Sequence, residues 1–145
     1  IHLHLIESIG KKTTFLTNLI NKLNLDNVEI HLGRAEQLAH IKDLRETFDC
    51  VLTRAVAKLN TLAELTLPFC KIGGLSVAQK QLHIKRETDQ ASYAFDILGG
   101  KLESQIKISL DNFLYPRSLV VIRKEFNTPS KYPFIEVDLH SIFPV

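Results

Sequence analysis

The sequence predicts an α/β fold in which a mostly parallel sheet has helices on both faces and ends in an antiparallel hairpin. Segments of strand character alternate with segments of helical period along the 145 residues. That alternation indicates parallel strands joined by crossover helices. The last two predicted strands, residues 101–110 and 118–124, are joined by a link too short for such a helix, so they should pair antiparallel.

The period of the apolar residues predicts the individual elements. Strands are expected at residues 2–7 and 48–53, which are short apolar runs, and at 28–32, where apolar and polar residues alternate. A helix is expected over 11–23 because its apolar residues share one face. The remaining elements are a weak helix at 35–44, a helix at 57–67 closed by Pro68, a strand at 75–79, and a helix at 84–98 stopped by Gly99 and Gly100.

The closing hairpin narrows the fold class. A parallel sheet that ends in an antiparallel hairpin is typical of the Rossmann-like sheet of S-adenosylmethionine-dependent methyltransferases, whereas a dinucleotide-binding sheet more often stays parallel. We therefore expect a methyltransferase domain over residues 1–125. Residues 126–145 contain three prolines and should form an irregular tail. The chain begins with Ile1 inside an apolar strand pattern, so we expect it to be N-terminally truncated.

Composition excludes several classes of protein. Hydrophobic residues make up 45% and charged residues 23%, which is ordinary for a globular domain and argues against disorder. The formal net charge is only +2, so any surface for nucleic acid must be local. No apolar run approaches the ~20 residues that cross a bilayer. Cys50 and Cys70 are not in a paired arrangement and are expected as reduced core residues of a cytosolic protein.

The histidines do not predict a metal site. The chain has six of them, and their spacing does not match that of zinc ligands. His2 and His4 alternate on a strand and can share a face, but the sequence shows no third ligand near them. We therefore expect no bound metal.

Residues that directly follow the predicted strands are candidates for ligand binding, because ligands of parallel sheets lie at the carboxyl ends of the strands. Glu7 ends the first strand, where a carboxylate can accept hydrogen bonds from the hydroxyls of a ribose. The alternative is a solvated acid at the start of a helix. Residues 33–36, Gly-Arg-Ala-Glu, permit a tight turn, and the backbone of Ala35 and Glu36 can recognise an adenine edge. Here the alternative is that Glu36 simply begins a helix.

Two basic residues occupy the same kind of position in later strands. Arg54 follows the strand 48–53, and Lys80 follows the strand 75–79. A guanidinium or ammonium at that edge can hold an RNA phosphate or a base. The alternative is a solvated surface cation.

These segments together resemble the motifs of a known family. Residues 6–16 (Ile-Glu-Ser-Ile-Gly-Lys-Lys-Thr-Thr-Phe-Leu) are similar to its acid-Ser-x-x-Lys-Lys-x-x-Phe-Leu segment. Further similarity follows in order at residues 33–36, 53–57, 68–74, 119–122 and Lys124. From about residue 5 to residue 132, the chain thus resembles the bacterial small-subunit (16S) rRNA guanine-N7 methyltransferases, also called the glucose-inhibited division protein B family.

The resemblance implies transfer of a methyl group from S-adenosylmethionine to N7 of a guanine in 16S rRNA. Guanine N7 has a lone pair in the plane of the ring and needs no base, so catalysis can rest on positioning. The cofactor-binding residues implied are Glu7, Ser8, Ala35, Glu36 and Arg54. The catalytic residues implied are Arg54 and Lys80. The RNA-binding residues implied are Lys11, Lys12, Arg123 and Lys124.

The resemblance also implies partners, and it shows where this chain departs from the family's sequence pattern. The expected partner is 16S rRNA or the small ribosomal subunit. The protein is expected to be a cytoplasmic monomer that binds neither a membrane nor a metal. In the family, a strand and a glycine-rich loop before the position of Glu7 cradle the methionine part of the cofactor. Because this chain lacks both, it should bind the cofactor poorly and be inactive alone. Gln81 stands where the family usually has a glycine, and residues 134–136 replace basic residues.

Two alternatives stay open at this point. A nicotinamide-dependent oxidoreductase would also place Glu7 on a ribose, although the hairpin and Arg54 count against it. A thermal-shift comparison of the two cofactors distinguishes these classes. A non-catalytic RNA-binding or assembly fragment would bind RNA without methyl transfer.

Overall fold

The computed structural model describes residues 1–54, 57–81, 84–108 and 116–135. Its elements, in chain order, are β1 (Leu3–Glu7), α1 (Gly10–Lys22), β2 (Val28–Leu32), α2 (Ala35–Leu38), β3 (Phe48–Arg54), α3 (Leu59–Thr66), a 3-10 turn (Leu67–Phe69), β4 (Cys70–Gln81), α4 (Lys85–Ile97), β5 (Gly100–Ile108) and β6 (Arg117–Lys124). The predicted alternation of strands and helices is confirmed. The link between the two hairpin strands lies outside the described residues.

The strands form two sheets. β1 and β2 pair parallel, and the other four strands have the order β3-β4-β6-β5. β3 pairs parallel with β4, whereas β6 runs antiparallel to both β4 and β5. The predicted closing hairpin is therefore confirmed, with β6 inserted between β4 and β5. Among the residues that the structure describes, no ladder joins β1 to β3, so the predicted sheet is divided in two.

The main core lies between the four-stranded sheet and helices α3 and α4, which follow β3 and β4. Its buried apolar side chains come from α3, the 3-10 turn, α4, β4 and β6, and include Leu59, Leu67, Phe95, Leu98, Val120 and Ile122. Burying one such side chain fully stabilises the fold by about 1.5–3 kcal/mol. This cluster holds β4 and β6 in place, and with them the edge at which the candidate site lies.

Helix α1 has nearly the predicted bounds, but its apolar face is not buried. Phe15, Leu19 and Leu23 are 65%, 39% and 57% exposed, respectively. The period of apolar residues therefore predicted the helix correctly, but a local pattern cannot tell whether another element covers the face.

Helix α2 is shorter than predicted. It ends at Leu38, and the chain then turns back so that Leu44 packs with Leu38 and Phe69 in a second cluster. The side chain of Arg45 supports that turn by donating to the carbonyl of Ala39 at 3.0 Å. Packing against Phe69 thus ends the helix, which the sequence alone extends to residue 44.

The predicted end of α4 is confirmed. Leu98 caps the helix, and Gly99 follows with a φ of +78°, a backbone conformation that favours glycine. A Cβ at Gly99 would lie 2.1 Å from the carbonyl oxygen of Phe126, so this position also needs the space that glycine leaves.

Residues 126–135 of the tail have no helix or strand, yet they pack on the domain. The guanidinium of Arg45 donates to the carbonyls of Thr128 at 2.9 Å and Tyr132 at 3.0 Å. The backbone N–H of Phe134 donates to Oε1 of Glu64 at 2.9 Å. These contacts join the described part of the tail to α3 and to the loop after α2.

The two cysteines differ in environment. Cys70 is buried, and burial raises the pKa of its thiol to about 12. Cys50 is exposed on β3, so the expected core position is wrong for this residue. None of the helices within the described ranges has the length and apolar character needed to cross a membrane.

Candidate functional site

The ends of β1 and β2 bring the first candidates together. The last residue of β1, Glu7, is the register partner of Leu32, the last residue of β2. The backbone N–H of Gly33 donates to the carbonyl of Glu7 at 3.0 Å and joins the two loops. Segment 33–36 therefore begins directly beside Glu7.

One oxygen of the Glu7 carboxylate is used within its own loop. Oε1 accepts a hydrogen bond from the backbone N–H of Ile9 at 2.9 Å, and Oε2 lies 3.9 Å from Nζ of Lys12. The side chain is 21% exposed, and Ser8 is exposed in the same loop. Because an ionised carboxylate offers about four acceptor positions, Oε2 can still accept from hydroxyl groups.

Segment 33–36 passes directly into α2. Arg34 precedes the helix in an extended conformation, and its Nε donates to Oε1 of Glu36. Glu36 is 8% exposed, so its carboxylate is engaged inside the protein. The N–H groups of Ala35 and Glu36 belong to the first turn, which has no acceptors within the helix. Their backbone, rather than the Glu36 side chain, is thus available for a ligand.

The other two candidates lie at the ends of β3 and β4, but their side chains project to opposite faces of the sheet. Arg54 is the last residue of β3 and pairs with Gln79, next to Lys80. Its side chain is exposed. Thr53 pairs with Ala78, a member of the main core, so Arg54 projects to the opposite face of the sheet from α3 and α4.

The ammonium of Lys80 is engaged inside the domain. Nζ lies 2.7 Å from Oε1 of Glu87 and donates to the carbonyl of Ala57 at 2.9 Å, and the side chain is only 17% exposed. The same Glu87 oxygen accepts from the N–H of Leu59, the first residue of α3, at 2.7 Å. Lys80 and Glu87 therefore hold the chain that follows Arg54.

The four basic residues expected to bind RNA do not form one strip. Lys11 and Lys12 are exposed at the start of α1, close to Glu7. Because β6 runs antiparallel to β4, Arg123 is the register partner of Leu75 and not of Gln81, the last residue of β4. Gln81 lies six residue steps along β4 from Leu75, a distance of roughly 20 Å. The expected strip is therefore wrong.

The burial of Lys124 contradicts its expected RNA contact. Its side chain is 0% exposed, and Nζ lies 3.1 Å from Oε1 of Glu46. The ammonium also donates to the carbonyls of Leu67 at 2.8 Å and Leu98 at 3.3 Å, and to the hydroxyl of Thr128. Burial lowers the pKa of Lys124, and the hydrogen bond to Glu46 opposes that change. This lysine ties β6 to the core.

Arg123 is exposed, but acidic and backbone groups already occupy it. Its guanidinium pairs with Glu103 on β5 and donates to the carbonyl of Gly73 at 3.0 Å. The pair with Glu103 raises the pKa of Arg123. These contacts are cross-strand contacts of the hairpin at the end away from Gln81.

Sequence reasoning missed two residues near this edge. Arg117 begins β6 and pairs with Gln81, so the register places this arginine beside the end of β4. The predicted hairpin paired this strand only with residues 101–110, so no local signal placed its first residue beside β4. Glu87 was missed because an acid in the first turn of a helix is common at surfaces.

The premise that no third ligand lies near His4 is wrong. The register of β1 and β2 places Glu29 and His31 beside it, and ligand atoms of the three side chains lie within 4.8 Å of one another. A separation of 27 residues between the two histidines concealed this cluster in the sequence.

Comparison with known proteins identifies the family. Residues 1–113 match the family model described as GidB, rRNA small subunit methyltransferase G. The chain is 43% identical over 129 residues to the ribosomal RNA small subunit methyltransferase G of Lachnoclostridium phytofermentans, and 44% identical over 133 residues to that of Dehalococcoides mccartyi. These matches cover 89% and 92% of the chain but 53% and 57% of the relatives. The chain thus spans about half the length of the curated relatives it matches.

Solved structures share the fold at low identity. TYW2 of M. jannaschii in complex with AdoMet has a TM-score of 0.61 at 19% identity, covering 84% of this chain and 56% of that one. An rRNA methylase from Streptococcus thermophilus has a TM-score of 0.60 at 17% identity, covering 86% and 74%. This likeness confirms the predicted Rossmann-like methyltransferase fold. With the family match over residues 1–113, it follows that the chain belongs to the GidB family of rRNA small subunit methyltransferases.

Proposed function

We propose that this chain forms part of an S-adenosylmethionine-dependent enzyme that methylates N7 of a guanine in 16S rRNA. The main support is the placement of polar groups at the carboxyl ends of the two parallel strand pairs. Glu7 and segment 33–36 follow β1 and β2, and Arg54 ends β3. Parallel sheets bind ligands at such ends, and family membership indicates which chemistry to expect there.

The groups that follow β1 and β2 fit the nucleoside part of the cofactor. Oε2 of Glu7 has acceptor positions left for the ribose hydroxyls, since its nearest cation, Lys12, is 3.9 Å away. Ser8 is exposed beside it and would add a hydroxyl group. The backbone N–H groups of Ala35 and Glu36 would meet the adenine edge.

In the proposed reaction, the protein positions the guanine and the methyl group and does not have to transfer a proton. When bound, the cofactor supplies an electrophilic methyl group on a sulfonium. Guanine N7 has a lone pair in the plane of the ring, so no residue has to act as a base, and we assign none. Arg54 would hold the base, a flanking phosphate or the cofactor edge through its planar guanidinium. Lys80 is a positioning residue in this proposal, because its ammonium is bound to Glu87 and Ala57.

The proposed RNA surface differs from the one expected from the sequence. Lys11, Lys12 and Arg117 replace the earlier set, since Arg123 and Lys124 are engaged at the far end of β6. The logarithm of RNA affinity falls linearly with the logarithm of salt concentration. Removing one phosphate contact should make that slope less steep by about one. We expect that change for Lys12→Ala. Arg123→Ala removes the same charge elsewhere and should leave the slope unchanged.

The partner proposed is 16S rRNA, either alone or within the small ribosomal subunit. We propose that the protein acts as a monomer. The proposed compartment is the cytoplasm, where bacterial ribosomes lie.

The direct test uses this chain extended to the length of its relatives. Losing a charged acceptor for a ribose should cost about 1.5–3 kcal/mol, so Glu7→Ala should weaken S-adenosylmethionine binding roughly 10-fold to 150-fold. Isothermal titration measures the affinity, and circular dichroism reports whether the fold is intact. Asp26→Ala removes an exposed acid from the turn before β2 and should leave the affinity unchanged. Equal affinity of the Glu7→Ala variant and the unmodified protein would return Glu7 to a helix-start role.

A further inference from the structure

The two-stranded sheet presents two imidazoles and a carboxylate on one face. Residues that are register partners in a parallel pair project to the same side, and so do residues two apart on one strand. His4 is paired with Glu29, and Ile6 with His31. His4, Glu29 and His31 therefore share a face of the sheet, near the middle of the strands.

The distances between the three side chains are close to those of a metal site. Nδ1 of His4 lies 2.8 Å from Nε2 of His31 and 3.8 Å from Oε2 of Glu29. Tetrahedral zinc, with ligands at 2.0–2.1 Å, holds its ligand atoms about 3.3 Å apart. The two observed distances lie on either side of that value. All three ligand atoms lie within 4.8 Å of one another, so the cluster is compact enough for its side chains to converge on one ion.

The surroundings orient the ligand atoms. The His4 ring packs edge-on against Phe48, with ring centroids 4.9 Å apart. The rings of His4 and His31 are within 5° of parallel, with centroids 5.1 Å apart and nitrogens facing each other. The His4 side chain is 25% exposed and that of Glu29 is 66% exposed, so an ion can reach the cluster from solvent.

We propose that His4, Glu29 and His31 form a binding site for a divalent transition-metal ion, with water in the fourth position. Two imidazole nitrogens and one carboxylate oxygen suit zinc and its neighbours better than magnesium or calcium, which prefer oxygen ligands. The site joins β1 to β2. By binding side chains from both strands, this ion acts as a structural clamp across the pair. It is separate from the proposed methyl transfer, which needs no metal.

The test uses the full chain, freed of metal by EDTA and desalting, and titrated with zinc chloride by calorimetry. We expect one zinc ion per chain and a higher melting temperature with zinc than without it. Loss of an outer-sphere partner typically weakens metal binding by about 10-fold to 100-fold, so loss of a direct ligand should weaken it at least tenfold. We expect that loss for His4→Gln and independently for His31→Gln. Magnesium chloride should neither bind nor raise the melting temperature.

His2→Gln is the matched control, because it removes a histidine two residues from His4 that is not part of the cluster. It should bind zinc with unchanged affinity. Circular dichroism confirms that each variant is folded, and the two ligand histidines lie on different strands, so either variant alone can test the site. Absence of zinc binding to the unmodified chain would overturn the proposal. So would zinc affinity that survives both ligand substitutions, or an equal loss in the His2→Gln control.

Discussion

Replacing Lys124 with methionine should destabilise the fold strongly. Methionine keeps most of the length of the side chain but removes the ammonium, which is 0% exposed. The change leaves the carbonyls of Leu67 and Leu98 without this donor and leaves the Glu46 carboxylate without its cation. The Glu46 carboxylate still accepts a hydrogen bond from the N–H of Thr128 at 2.6 Å. This bond offsets part of the cost of losing the ammonium.

The expected magnitude follows from the burial of this pair. Removing one partner of a buried ion pair costs about 3–5 kcal/mol of unfolding free energy. Because the Glu46 side chain is 20% exposed and solvent screens it, the lower end of that range applies, about 3 kcal/mol. In a domain of this size, such a loss lowers the melting temperature by roughly 10 °C.

Urea unfolding followed by far-ultraviolet circular dichroism measures the loss. Lys101→Met on β5 is the matched control, because that lysine is 70% exposed and lies 3.9 Å from Glu125, and it should cost less than about 1 kcal/mol. The double variant Lys124→Met with Glu46→Gln should recover part of the loss, since no unpaired carboxylate remains. If Lys124→Met is no more destabilising than Lys101→Met, the buried network does not stabilise the fold as reasoned.

Three further outcomes are expected. Burial raises the pKa of Glu64 above its ordinary 4.5, so folding favours the protonated form and stability is lost as pH rises from 4.5 through the folded pKa. Glu64→Gln should therefore gain stability relative to the unmodified chain as pH rises, with little difference below pH 4.5, in thermal melts across that range. The pKa of Lys124 is lowered on folding from 10.5, so raising the pH towards 10.5 should stabilise the unmodified chain relative to Lys124→Met. In the extended protein, Arg54→Ala should reduce single-turnover methylation of 16S rRNA while changing stability by less than about 0.5 kcal/mol. Arg54→Lys should restore activity only in part, because a lysine lacks the planar two-point contact; wild-type activity of Arg54→Ala would remove Arg54 from the site.

The fold could be predicted well from the sequence because its signals are local. The strands at the start of the chain, the helix after Glu7 and the end of α4 at Gly99 depend on residues a few positions apart. The antiparallel hairpin followed from the length of one connection. The positions of Glu7 and Arg54 at strand ends followed from these same elements.

Two lysines that the sequence analysis assigned to the site, Lys80 and Lys124, show where such reasoning stops. Lys80 and Lys124 both look like ordinary basic residues near strand ends, yet both are engaged inside the domain. The groups that surround Lys124 come from the loop after α2, the 3-10 turn, α4 and the tail. An ammonium can be buried only where several acceptors converge, and segments this distant in sequence converge only in the folded chain.

By itself, the sequence determined the order of the elements, the Rossmann-like class of the sheet and the polar residues at its strand ends, because period and connection length are properties of neighbouring residues. Only the tertiary structure decided which basic residue of β6 lies beside the end of β4, and it selected Arg117 over Arg123. It also brought His4 and His31 within 2.8 Å of each other across 27 residues. Both outcomes depend on strand direction and register, which are set by pairing between distant segments and are invisible in a local pattern.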